Sequence, residues 1–139
     1  MGKVESKVQP IAYSAEVVYN TLSDFNNIGK VRDRVPSDLV KNLNFNSDSV
    51  SFEISPVGAV TMNVVDREPF KCIKMQTEKS MVPLTAWIQI VSTGENNCKI
   101  KLTADADVNI FIAKMVEKPL REGIEKIAEM LAAIPYDKI

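Results

Sequence analysis

From residue 97 to residue 107 apolar and polar side chains take turns. Cys98, Ile100, Leu102, Ala104 and Ala106 fall on one side; Asn97, Lys99, Lys101, Thr103, Asp105 and Asp107 fall on the other. A period of two is the signature of a strand with one dry face and one wet face. Further on the period lengthens. Val116, Leu120, Ile124, Ile127, Leu131 and Ile134 recur at three and four residues, with Glu117, Lys118, Arg121, Glu122, Glu125, Lys126 and Glu129 filling the gaps. That spacing predicts an amphipathic helix lying back across the sheet. Pro119 is expected to start or kink its main segment, leaving "IFIAKMVEK" as a separately oriented lip.

The earlier chain carries the same two periods. Residues 3 to 9 alternate, with Val4, Ser6 and Val8 on one side, and Pro10 is expected to end that strand. Ser14 is placed to cap a short helix that presents Val18, Leu22 and Phe25 on one face. A second helical piece is expected to present Phe25, Ile28, Val31 and Val35 and to close at Pro36. Strands then follow: Val50, Phe52 and Ile54; after a turn at 56 to 58, Val60, Met62 and Val64; Ile73, Met75 and Thr77; and Leu84, Ala86, Ile88 and Ile90. Their short connections imply an antiparallel meander. Trp87 falls on the wet face between Thr85 and Gln89. It marks either an outward apolar patch suited to self-association or a register displaced by one residue.

Composition narrows the chemistry. The 139 residues are 45% apolar and 25% charged, with a net charge of −1, which suits one globular domain over 1–139. No apolar run approaches a membrane span, and the first residues lack the apolar core of a secretory signal, so a cytoplasmic location and no stable membrane insertion are expected. Charge is spread evenly, without the basic face that nucleic-acid binding requires. Cys72 and Cys98 match no metal-ligand spacing and are expected as free thiols. Histidine is absent. That removes Ser/His/Asp and Cys/His catalysis and the ordinary proton shuttle near neutral pH. Asp105 and Asp107 share a face with Lys99 and Lys101, which points to a solvated charged surface more than to an acid/base pair. No catalytic residue, metal site or cofactor is expected.

The order strand, two short helices, six-stranded meander and long C-terminal helix resembles the START-like, or Bet v 1-like (SRPBCC), superfamily. Two stretches carry the resemblance, "YSAEVVYNTLSDF" at 13 to 25 and "PLREGIEKIAEMLAAI" at 119 to 134. Within it the chain is most similar to small bacterial polyketide cyclase/dehydrase-like and uncharacterised ligand-binding members. The resemblance implies an α+β helix-grip fold, a curved antiparallel sheet in the order β-α-α-β6-α wrapped around the C-terminal helix with an apolar cavity between them. The expected cavity lining is Phe25, Ile28, Phe52, Ile54, Met62, Val64, Met75, Thr77, Ile88, Leu102, Ala104, Leu120 and Ile124. The expected mouth is Pro56, Val57, Met81, Pro83, Phe111 and Met115. Thr77 and Ser6 are the inward hydroxyls, each with a plain alternative in bonding to nearby backbone.

Three functional classes follow. The first is a non-catalytic carrier or sensor of a hydrophobic small molecule or lipid, favoured by the apolar lining. The second is a cyclase/dehydratase-like enzyme, which needs an inward Asp, Glu, Tyr or Arg that alternation does not supply. The third is a partner-binding module, a homodimer through the Trp87 face.

Overall fold

The computed structural model describes residues 2–139 except Pro36, Leu39, Pro56, Val57, Lys79 and Met81. The period-two stretches form one sheet. Two short strands, β1 (Lys3–Glu5) and β2 (Gln9–Ile11), precede a meander of β3 (Lys41–Phe45), β4 (Ser49–Ile54), β5 (Gly58–Glu68), β6 (Cys72–Thr77), β7 (Leu84–Gly94) and β8 (Asn97–Ala106). All pairings are antiparallel, in the order β1-β8-β7-β6-β5-β4-β3, with β2 also on β8. The sheet is the curved wall of an α+β fold, and α2 (Ile110–Ala132) lies against its inner face.

The register answers the question that Trp87 raised. Ala86 pairs with Ala104, Trp87 with Thr103 and Ile88 with Leu102, so the small and aliphatic side chains point in and the indole points out. There the ring lies between two ammonium groups, with Lys3 Nζ 5.2 Å and Lys74 Nζ 5.9 Å from its centre. Both are within cation–π range, and the ring is half-buried beneath them.

Three local expectations are corrected. The N-terminal strand is split in two. Ser6 donates its backbone N–H to Leu102 O at 2.8 Å, while its hydroxyl accepts from Leu102 N at 2.9 Å and donates to Lys7 O at 2.9 Å. A side chain thus replaces part of the backbone ladder, the chain turns, and Val8 is left 55% exposed instead of inside. Pro10 does not end a strand but sits within β2, at the sheet's edge, where its missing N–H costs no ladder bond.

The second helical piece is not α-helical. It is a 3₁₀ helix, Phe25–Lys30, followed by a shorter one, Arg32–Arg34. Asp24 caps the first by accepting from Asn26 N at 3.0 Å, and Asn27 Nδ2 reaches back to Thr21 O at 2.8 Å. Gly29 allows a close approach: a Cβ there would lie 3.1 Å from the Phe45 ring. Asp, Asn and Gly all favour turns over helix interiors, so the tight form prevails while Phe25 and Val31 stay buried.

The third correction concerns Pro119. Pro119 does not start a new segment, because α2 runs from Ile110 to Ala132 with Pro119 inside it. Asn109 caps it, accepting from Phe111 N and Ile112 N at 3.0 Å each. Buried Ala113 and Val116 precede the proline, and buried Gly123 and Ile124 follow it on the same face. Packing on both sides therefore holds the helix together where the proline removes one backbone bond. The exposed Arg121–Glu117 pair at 3.2 Å is worth only about 0.3–0.5 kcal/mol. The apolar stripe, at roughly 1.5–3 kcal/mol for each fully buried side chain, decides where the helix lies.

α1 (Ala15–Leu22) starts as expected at Ser14, whose hydroxyl accepts from Val17 N at 3.2 Å. Arg67 fastens the far end of this layer to the sheet, donating to Ser23 O and Ser47 O at 3.0 Å each and to Asp48 Oδ1 at 2.8 Å. Beyond α2 the chain is tied down again. Tyr136 is buried and donates to Leu131 O at 2.6 Å, its ring edge-on to Tyr13 at 5.6 Å, and Tyr13 donates to Asp137 Oδ1 at 2.6 Å.

Candidate functional site

The closest neighbours of α2 are β8, β1 and β2, all at one side of the curved sheet. Toward the other strands the helix stands off. The gap between them, bordered by the 3₁₀ helix, is a cavity of about 300 Å³. That is the lower end of the range for small-molecule sites and about twice an engineered cavity that holds benzene.

The cavity is bordered from four directions. Phe25 and Ile28 come from the 3₁₀ helix; Phe52 and Ile54 from β4, Met62 from β5 and Met75 from β6; Ile88, Leu102 and Ala104 from β7 and β8; Leu120 and Ile124 from α2. Val64 and Thr77 are not among its borders. Val64 packs against the core beside the bulge between Val64 and Asp66. Thr77 is taken up by backbone: its hydroxyl accepts from Leu84 N at 2.9 Å, holding the start of β7. Ser6, the other inward hydroxyl, is occupied in the same way by Leu102 N.

Sequence reasoning missed several borders. Val31 and Val35, Leu43 of β3, Val60 of β5 and Met130, Leu131 and Ile134 at the end of α2 and beyond also face the space. The last three continue the three- and four-residue spacing of the apolar stripe, a signal that was present. Leu43 was hidden by irregularity, since β3 changes register between Lys41 and Asn44, with Asn42 at φ +54°.

Of the expected mouth, Pro56, Val57 and Met81 lie outside the described residues. Pro83, Phe111 and Met115 are exposed and do not border the cavity.

Gly123 is the most telling border residue. It is buried in the middle of α2, where glycine costs about 1 kcal/mol relative to alanine, yet a Cβ built on it would meet nothing within 4 Å. No neighbouring atom among the described residues demands the glycine. Its missing side chain is part of the empty volume.

Three of the polar side chains at the borders are engaged in bonds of their own. Asp24, the single carboxylate among the described border residues, caps the 3₁₀ helix and is exposed. Thr21 donates to Val17 O at 3.0 Å, and Thr103 donates to Gln89 Oε1 at 2.9 Å. Asp105 and Asp107 stand away from the cavity, and neighbouring Lys101 pairs with Glu5 at 3.4 Å on the outer face. Burial pushes the Cys98 thiol above its ordinary pKa, and burial with nearby Glu68 and Asp66 does the same for Cys72, so both stay protonated at neutral pH. Neither has the lowered pKa of a nucleophilic cysteine.

Residues 1–133 match the family described as polyketide cyclase / dehydrase and lipid transport. The chain belongs to that family. Similar solved structures agree on the fold. Norcoclaurine synthase from Thalictrum flavum superposes with a TM-score of 0.71 at 18% identity, covering 94% of this chain and 83% of that one. A START superfamily protein from Mycobacterium smegmatis gives 0.71 at 17%, covering 95% of each chain. A protein from Thermus thermophilus gives 0.67 at 14%, covering 94% of each. No curated protein matches the sequence. This polyketide cyclase / dehydrase and lipid transport family member therefore has the helix-grip fold of START and Bet v 1-like proteins, while its activity has to be argued from its own cavity.

Proposed function

We propose that this family member binds a hydrophobic small molecule or lipid in the cavity beneath α2, and carries or senses it without converting it. The observation that carries this is an apolar cavity of about 300 Å³, with open space where a mid-helix glycine has no side chain. Such a space takes an uncharged, mainly hydrocarbon ligand, and Met62, Met75 and Met130 let its walls adapt to more than one shape. Proton transfer needs a side chain within hydrogen-bond reach of the ligand. Here Thr21, Asp24 and Thr103 are already hydrogen-bonded to backbone or to Gln89, and the one carboxylate among the described border residues is exposed, which favours carriage over catalysis.

Nile red, whose emission shifts and brightens in apolar surroundings, tests this. Wild-type protein is expected to bind it saturably, and a Met75→Trp variant, which fills the space, is expected to melt cooperatively and bind it poorly. Undiminished binding by folded Met75→Trp protein would place the dye elsewhere and remove the basis for the cavity assignment.

A further inference from the structure

The first turns of α2 expose what a water-soluble surface ordinarily hides. Phe111 is 76% exposed, Ile110 65% and Met115 63%, three large apolar side chains within six residues. The other exposed large apolar residues are scattered along the chain, as is normal for a surface. Between the three stand Lys114 and Lys118, both exposed and in none of the ion pairs among the described residues. Glu117, the acidic side chain of this stretch, is held by Arg121. Exposed Glu122 stands one turn beyond Lys118 and exposed Asp107 just before the helix, and neither pairs with these lysines among the described residues.

The charge order of α2 is the reverse of what a helix prefers. Its dipole favours acidic side chains in the first turn and basic ones in the last, but α2 has neither. Lys114, Lys118 and Arg121 outnumber Glu117 in the first half, and Glu122, Glu125 and Glu129 outnumber Lys126 in the second. Helix stability does not explain this arrangement, whereas an anionic surface facing the first half does. A second copy of the chain fits less well: a two-fold contact brings the same lysine-bearing patch to both sides of the interface.

We infer that the outer face of residues 110–118 docks on a membrane surface rich in anionic lipid. Ile110, Phe111 and Met115 enter the headgroup boundary while Lys114 and Lys118 meet the headgroups, the pattern of a helix lying in the interface. Contact is peripheral and reversible, since no described helix is long and apolar enough to cross a membrane. On the opposite side of these turns, Val116 and Leu120 border the cavity. The docked surface and the cavity therefore share one stretch of helix. The inference rests on the cavity reading for its purpose, delivery or uptake of a hydrophobe, but not for its test.

That test is co-sedimentation of the full chain with vesicles of phosphatidylcholine alone and of phosphatidylcholine mixed with phosphatidylserine. Binding is expected on the mixed vesicles, weak on the neutral ones, and reduced by added salt. The pair Lys114→Glu and Lys118→Glu should lower partitioning by about tenfold or more. Phe111→Ser should lower it on both vesicle types, while Val91→Ser, at an exposed site on β7, should not. All these sites are exposed, so unchanged melting curves certify the fold. Absence of wild-type binding to the mixed vesicles, or binding indifferent to the α2 substitutions, overturns the inference. So does a dimer in solution that Phe111→Ser dissolves. If vesicles bind but no ligand is found in the cavity, the carrier reading fails and the docking surface stands.

Discussion

Gly123 shows how one absent methyl group bears on function. Alanine there removes the flexibility penalty of a mid-helix glycine and meets no neighbour, so Gly123→Ala is expected to stabilise the protein by about 1 kcal/mol in urea unfolding. A loss of stability would mean that the space is filled. Residues of this kind were partly legible in the sequence. Met62, Met75 and Ala104 could be placed on the inner face because alternation dictates facing, and they border the cavity. Thr77 and Ser6 could be placed inward but not given their partners. Leu84 N and Leu102 N reach those hydroxyls only through the strand register, which no local pattern records.

At the scale of elements, the meander and α2 were legible because burial of one face enforces a clean period. The split between β1 and β2, the 3₁₀ form of residues 25–30 and the continuity of α2 through Pro119 were not. Each depends on a competition that tertiary packing settles: a hydroxyl against a ladder bond, turn-forming residues against an apolar spacing, a lost helix bond against two buried flanks. The C-terminal segment after α2 shows the same dependence, since Tyr13 and Asp137 meet across almost the whole chain. The Tyr13 hydroxyl holds the Asp137 carboxyl below the ordinary carboxylate range, and Asp137 in turn raises the Tyr13 pKa. A carboxylate with a lowered folded-state pKa contributes stability above its unfolded pKa and loses it as pH falls through the folded value. The raised phenol contributes below its unfolded pKa and loses that as pH rises through the folded one. The bond's contribution is therefore full between the unfolded-state pKa values of the two groups, roughly pH 4 and 10. The melting temperature of Tyr13→Phe protein is expected below wild type at neutral pH, with the gap closing below about pH 4. A gap that persists in acid would assign the effect to packing against Tyr136 instead.

For the whole molecule, the family and the helix-grip fold set the frame, and the residues inside it set the chemistry. A sheet curved away from α2 leaves room, Gly123 leaves more, and apolar side chains make that room suitable for hydrocarbon. The element order was enough to read this architecture from sequence, because each apolar face needs a partner and the long helix is the one element able to cover the sheet. Cavity volume was not readable, since it is a difference between packed side chains and enclosing backbone. The most direct measurement is native mass spectrometry of protein purified gently from its own host, with denaturing extraction of whatever it retains. The expected spectrum shows a stoichiometric hydrophobic adduct on wild type that is missing from folded Met75→Trp protein. An unliganded wild-type mass, together with no stabilisation by any hydrophobic compound offered in vitro, would contradict the carrier assignment.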